Sequence, residues 1–279
     1  MKRLTAILLI VALLPLALAA KDNKGHEGIH AISFNIRYAN AEDGTNSWKY
    51  RYPAVAMMLD DQRPDVAGLQ ECLYEQFEYL QTSLDKLYKF VGVGRDDGKK
   101  AGEMMAIMYN PKTVSLVKWG TFWLSETPDV PSKGWDAACY RTATWALMKD
   151  KESGRQFYFV NTHLDHQGVE AQKNGAQLVI DRIAEMNKSD LPVILTGDFN
   201  LEPDSAALAP VSSVMKDSRA TAVVSDDVKS YNGWGKASGT IDYVWYKGFS
   251  CTEFKTVTKA YYERNFISDH YPVKASLIF

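Results

Sequence analysis

Leu191-Pro192-Val193-Ile194-Leu195-Thr196-Gly197-Asp198-Phe199-Asn200 is the stretch on which the reading of this chain turns. Val193 to Leu195 is short, apolar and bounded by Pro192 and Gly197, the pattern of a buried strand. Just past it stand Asp198 and Asn200, two residues apart and so on one side of an extended chain. Gly197 permits a tight turn or a close approach to a ligand. A carboxylate and a carboxamide fixed at a strand end can hold a hard cation or orient a water. Asp, Asn and Gly also favour turns, so this segment alone does not separate a turn from a site.

Working outward, Ile29 to Ile36 is rich in β-formers and reads as the first strand. Pro53 to Gln62 has helical spacing, with Pro53 suited to a first turn. Val66 to Gln70 is a second strand ending at Glu71, and Leu73 to Leu84 is helical again. Strand-like text runs from Phe90 to Leu124, including Met105 to Tyr109 and Thr113 to Val117 about a turn at Asn110-Pro111. Arg141 to Met148 and Gln156 to Asn161 form a hairpin pattern across Lys151-Glu152-Ser153-Gly154. Val169 to Met186 carries the longest apolar helical stripe. After the opening strand come Ile241 to Tyr246, Phe254 to Val257 and Val273 to Ile278. This mixed order predicts two packed sheets with helices outside rather than one parallel sheet.

The polar residues are placed where such a sheet can aim them. Asn35 lies in the first strand, Glu71 follows Leu69-Gln70 at the end of the second, and His163 follows Phe157-Tyr158-Phe159-Val160. Asp242 lies beside Tyr243-Val244-Trp245, and Asp269-His270 precede the final strand. Each has a bland reading: a loop hydrogen bond for Asn35, a helix cap for Glu71, a satisfied core histidine for His270. Their recurrence at strand boundaries favours one shared cleft.

The segments carrying these residues are SFNIR (33–37), LQE (69–71), NTHLDH (161–166), TGDFN (196–200), GTIDYVW (239–245) and SDHYPV (268–273). In that order, over nearly the whole chain beyond residue 20, they resemble the metal-dependent endonuclease/exonuclease/phosphatase superfamily. Its members include DNase I-like nucleases, deadenylases of the carbon catabolite repressor 4 type, sphingomyelinases and inositol polyphosphate phosphatases. The resemblance implies an α/β fold, a four-layer α/β/β/α sandwich with the site at one edge of both sheets. It implies Mg²⁺ or Mn²⁺ held by Asn35 and Glu71 with Asp269 completing or supporting the shell, a donor set suited to a hard cation. It assigns Asp198 to orient or deprotonate the attacking water, with Asn200 placing it. His270, polarised by Asp242, and His163 would hydrogen-bond the phosphoryl oxygens, with Arg141 a phosphate clamp. Arg37 stands where abasic-site endonucleases carry an acidic residue, which argues against that branch. Asp165 is expected to support local structure rather than chemistry.

The implied activity is in-line hydrolysis of a phosphoester, with a nucleic acid or oligonucleotide as the expected phosphodiester substrate. A sphingomyelinase-like action on membrane lipid is the alternative, and an inactive binding sandwich the reading from another class. Trp119 and Phe122 are expected to pack in the core. Trp135 and Trp234, in polar or glycine-rich surroundings, offer faces for a base or a lipid interface. No segment marks a protein partner, and a monomer is expected.

Composition bounds the rest. Lys2 and Arg3, an apolar run from Leu4 to Leu18 and a small-residue end make residues 1–20 a signal peptide by pattern. This leaves residues 21–279 as one domain of an exported protein, periplasmic or extracellular. The formal charge of −2 becomes about −4 without Lys2 and Arg3, a balance that disfavours sequence-independent binding of a polyanion. Cys72, Cys139 and Cys251 match no zinc spacing and allow at most one internal disulfide.

Overall fold

The computed structural model describes residues 28–279, so the expected signal peptide lies outside the described residues. The strands are β1 (Ile29–Asn35), β2 (Val66–Cys72), β3 (Lys89–Val91), β4 (Met104–Tyr109), β5 (Val114–Trp123) and β6 (Thr142–Asp150). They continue as β7 (Gln156–His163), β8 (Val193–Asp198), β9 (Lys216–Asp217), β10 (Asp242–Lys247), β11 (Ser250–Thr256) and β12 (Val273–Ile278). The main helices are α1 (Trp48–Gln62), α2 (Tyr74–Ser83) and α3 (Val169–Met186). Two six-stranded sheets form, ordered β11-β12-β1-β2-β4-β3 and β5-β6-β7-β8-β10-β9.

Each sheet contains a parallel pair, β1 with β2 and β7 with β8, joined through α1 and α3 respectively. A parallel pair needs such a crossover, and it leaves both carboxyl ends of the pair at the same edge. The strands are apolar on both faces because both faces are covered. Ile32 and Phe34 of β1 pack with Val55, Met58 and Leu59 of α1 and Leu80 of α2. Val160 and Leu195 pack beneath Val179 and Ile183 of α3. Between the sheets lie Ile29, Ala31, Ile107, Phe157, Phe159, Ile194 and Val244. The result is the expected α/β/β/α sandwich.

Several bounds differ from the sequence reading. α1 begins at Trp48, so Pro53 falls in its second turn. The added turn buries Trp48 and Arg51, and the bond that Pro53 cannot make is lost opposite exposed Lys49, where water can replace it. β5 extends to Trp123 through a bulge between Leu116 and Lys118, and on this edge strand Trp119 is 38% exposed while Phe122 is buried. Trp119 is therefore not a core residue. All three cysteines are free, Cys72 and Cys251 buried and Cys139 partly exposed.

Candidate active site

The alternation of side chains along a strand decides which polar groups meet. In β1 the face carrying Ile29 and Ala31 toward the other sheet also carries Ser33 and Asn35. In β8 the inward face of Ile194 continues through Thr196 to Asp198, and in β7 that of Phe157 and Phe159 continues to His163. β10 brings Asp242 opposite Asp198 by register. Two carboxyl-terminal strand ends of each sheet thus converge at one edge. The contact is direct: Asn35 Nδ2 donates to Glu71 Oε1 and to Asp198 Oδ2, both at 3.0 Å.

Strict alternation in β2 would place Gln70 inward and Glu71 outward. A bulge between Leu69 and Cys72 breaks the phase, and Glu71 adopts φ 57. Its carboxylate turns back to accept from Asn35 Nδ2 and, at 3.0 Å, from the Tyr38 backbone N–H. Arg37 and Asn200 also have positive φ, at 57 and 52. Non-glycine residues held there mark backbone that the surrounding structure constrains, a condition common at functional sites.

Asp198 is buried at the centre. Its Oδ1 accepts from the Asn200 N–H at 2.9 Å, and its Oδ2 lies 3.5 Å from His163 Nε2 and 3.7 Å from His270 Nε2. Burial and the nearby Asp242 carboxylate push its carboxyl up to about 7, against the pull of His270 and its hydrogen bonds. His270 Nδ1 sits 2.8 Å from Asp242 Oδ2. Burial opposes its charge, but the Asp242 and Asp198 carboxylates outweigh it and raise the imidazole to about 10. His270 is thus a buried cation that donates to Asp242 through Nδ1 and points Nε2–H toward Asp198. His163 is the opposite case: burial, then Arg141 and Arg95, hold it well below the usual histidine range, so it is neutral. Asn200 Nδ2 lies 3.0 Å from His163 Nε2 and also donates to the Leu164 carbonyl at 3.1 Å. His163 Nδ1 is buried without a protein partner.

Two groupings bear on a metal. Glu71 and Asn35 touch each other, and Asp269 closes the same end through Arg37, whose Nη1 lies 3.6 Å from Asp269 Oδ2. Their oxygen donors, two carboxylates that line the cleft and a buried carboxamide bonded to one of them, fit Mg²⁺ or Mn²⁺. Burial raises the Asp269 carboxyl, a cost that a bound cation would offset. Asp198, Asp242 and His270 also bring ligand atoms within 4.8 Å of one another, but the His270 cation already lies between these carboxylates. The oxygen-rich Asn35–Glu71–Asp269 end is the better fit.

The cleft has a volume of about 740 Å³ and is lined by three arginines, Arg37, Arg95 and Arg141. Arg141 Nε donates to Asp165 Oδ2 at 3.3 Å, and its Nη2 lies 2.9 Å from His166 Nδ1. Asp165 in turn accepts from the backbone N–H groups of Ala138, Gln167 and Gly168. Arg141 is therefore fixed by Asp165 and His166 in the cleft wall. Trp135 and Trp234 do not line it; the Trp234 ring lies against the Arg51 guanidinium at 5.5 Å. Sequence reading did not pick out Arg95, Glu103, Tyr38 or Tyr231 as cleft residues. Arg95 and Glu103 flank the segment 96–102, which carries Gly98 and Gly102, and a hairpin register across it is the signal that pairs them.

Comparison with known proteins adds an independent line. The family described as Endonuclease/Exonuclease/phosphatase matches over residues 32–270. An endonuclease/exonuclease/phosphatase structure from Bacteroides vulgatus is 37% identical, with a TM-score of 0.84, covering 89% of this chain and 98% of that one. A mannosyl-6-phosphatase of Bacteroides thetaiotaomicron is also 37% identical at TM-score 0.84, covering 90% of this chain and 100% of that one. The Saccharomyces cerevisiae protein described as probable RNA exonuclease NGL3 is 28% identical over 170 residues, 56% of this chain and 33% of its own. The chain spans 60% or less of the length of each curated relative it matches.

Proposed function

The chain belongs to the endonuclease/exonuclease/phosphatase family and is a divalent-metal-dependent phosphoester hydrolase, and from that premise we propose that it removes phosphate from a compact sugar phosphate. The observation that carries the substrate class is the cleft. Its volume of about 740 Å³ falls within the range of small-molecule sites, roughly 300–1,000 Å³. Its cations are confined to one recess and interleaved with Glu71, Glu103 and Asp269, unlike the continuous basic track a polynucleotide favours. The mannosyl-6-phosphatase, similar along its entire length, supports the same class.

Asn35, Glu71 and Asp269 would hold Mg²⁺ or Mn²⁺. When bound, that cation supplies positive charge against the negative charge growing on the phosphoryl oxygens. Asp198 accepts the proton of the attacking water through Oδ2, held in position by the Asn200 N–H and Asn35 Nδ2. His270, kept charged and oriented by Asp242, donates from Nε2 to a phosphoryl oxygen, while His163 and Asn200, bonded to each other, line the cleft beside it. Arg141 meets the phosphate while Asp165 and His166 fix the plane of its guanidinium.

A nuclease action is the second reading, favoured by the curated exonuclease relative. Release of inorganic phosphate from hexose 6-phosphates, measured beside nucleotide release from RNA and DNA, separates the two. Nucleolysis without phosphomonoester turnover would overturn the sugar-phosphate reading. We further place the mature protein outside the cytoplasm, on the pattern of residues 1–20 alone; an intact Met1 on protein recovered from cells would contradict that.

A further inference from the structure

The cleft wall opposite His270 is a hairpin loop between β3 and β4 whose backbone is fixed independently of its charged side chains. The Arg95 N–H donates to the Glu103 carbonyl at 3.0 Å, and the Arg95 carbonyl accepts from Trp123 Nε1 at 2.6 Å. Asp97 Oδ1 accepts from the N–H groups of Lys99 at 2.7 Å and Ala101 at 2.9 Å, closing the loop tip. Gly98 has φ +68, and a Cβ there would stand 3.3 Å from the Trp123 ring, so the tip is seated on that indole. The loop therefore does not need a salt bridge to hold its shape. It nonetheless carries one, Arg95 Nη1 to Glu103 Oε2 at 2.8 Å, with the two side chains 15% and 13% exposed and both lining the cleft.

Burying a charged pair in a wall already stabilised by backbone bonds costs desolvation that the pair's attraction barely repays. Such a pair is better explained by what it meets in the cleft. A guanidinium edge donates and a carboxylate accepts, so together they match neighbouring hydroxyls, each of which donates and accepts. Glu103 repels a second phosphate or the next nucleotide of a strand. We propose that Arg95 and Glu103 determine specificity by hydrogen-bonding the hydroxyl groups of the alcohol portion of the substrate. This rests on the sugar-phosphate reading and names the part of the site that selects the sugar.

The test compares mannose 6-phosphate with phenyl phosphate, which has no hydroxyl groups, in the wild type, Glu103→Gln and Arg95→Lys, with Mn²⁺ present and melting curves recorded. In each variant, kcat/KM for mannose 6-phosphate should fall at least about tenfold further than for phenyl phosphate, mainly through KM. Free mannose should inhibit phenyl phosphate hydrolysis by the wild type, and that inhibition should weaken in parallel in the variants. Equal losses on both substrates, or no loss on mannose 6-phosphate, would overturn the inference and leave the sugar-phosphate reading standing. A wild type indifferent to free mannose and no faster on mannose 6-phosphate than on phenyl phosphate would overturn it without any variant. If the wild type hydrolyses no phosphomonoester, the underlying reading fails first, and the inference with it.

Discussion

At Asp198 a single carboxylate meets a cationic imidazole, a neutral imidazole, a carboxamide and a backbone N–H, and each neighbour fixes part of its role. The two histidines differ by environment rather than by type. His270 faces Asp242 and Asp198 and is charged, whereas His163 faces the Arg141 and Arg95 field and is not. His270→Gln keeps a donor but removes the charge, so kcat should fall by on the order of 10²–10³ while the melting temperature holds. Asp198→Asn keeps an oxygen to accept from the Asn200 N–H but loses the bond from Asn35 Nδ2 and cannot take a proton, and should fall at least as far. Phosphate-release kinetics beside circular dichroism check both; near-normal turnover in either variant would remove that residue from the mechanism. Asp198, His270 and the other strand-end groups were legible because they sit in phase with apolar neighbours. Glu71 was legible as a residue but not as a geometry, since only a bulge turns it inward.

At the level of elements, periodicity recovered what is long or strongly patterned. α3 and β12 have the bounds that the sequence predicts, whereas three-residue β3 had too little pattern to stand out. The pairing between sheets was not legible, because nothing local specifies which inward faces will oppose. That pairing depends on a buried polar clasp beneath the site. Asn161 Nδ2 donates to the carbonyls of Leu69 and Ala106 on the other sheet, and its Oδ1 accepts from Gln70 Nε2 at 2.7 Å and Thr196 Oγ1 at 3.2 Å. Gly68 makes room for it, since a Cβ there would stand 2.5 Å from Asn161 Oδ1. Asn161→Ala should strand several of these groups and open a cavity, lowering stability by about 2–4 kcal/mol in urea unfolding. A loss under about 0.5 kcal/mol, the range of ordinary surface substitutions, would show that the clasp does not hold the sheets together.

For the whole molecule, acid stability reports how firmly the Arg141–Asp165 corner of the cleft is built. Burial works against the Asp165 carboxylate, but the Gly168, Gln167 and Ala138 N–H groups and Arg141 overcome it and lower it from 3.8 to about 2. A carboxyl depressed in the folded state adds stability above its unfolded value, and that stability is lost as the pH falls through the folded one. Unfolding free energy should therefore decline as the pH drops from about 4 toward 2, and Asp165→Asn should flatten that part of the curve. An unchanged slope in the variant would mean that the corner is held by other groups.

The same architecture places two sheet edges around a cleft of small-molecule size on a chain with a formal charge of only −2, which favours a compact anion over a polymer. The most direct test is phosphate release from mannose 6-phosphate by the wild-type protein with Mg²⁺ or Mn²⁺, then after EDTA, beside RNA and DNA at equal phosphate concentration. The expected result is metal-dependent release from the sugar phosphate, abolished by EDTA and restored by added cation, at a rate exceeding nucleotide release. Turnover that survives EDTA, or hydrolysis of nucleic acid with none of the sugar phosphate, would contradict it.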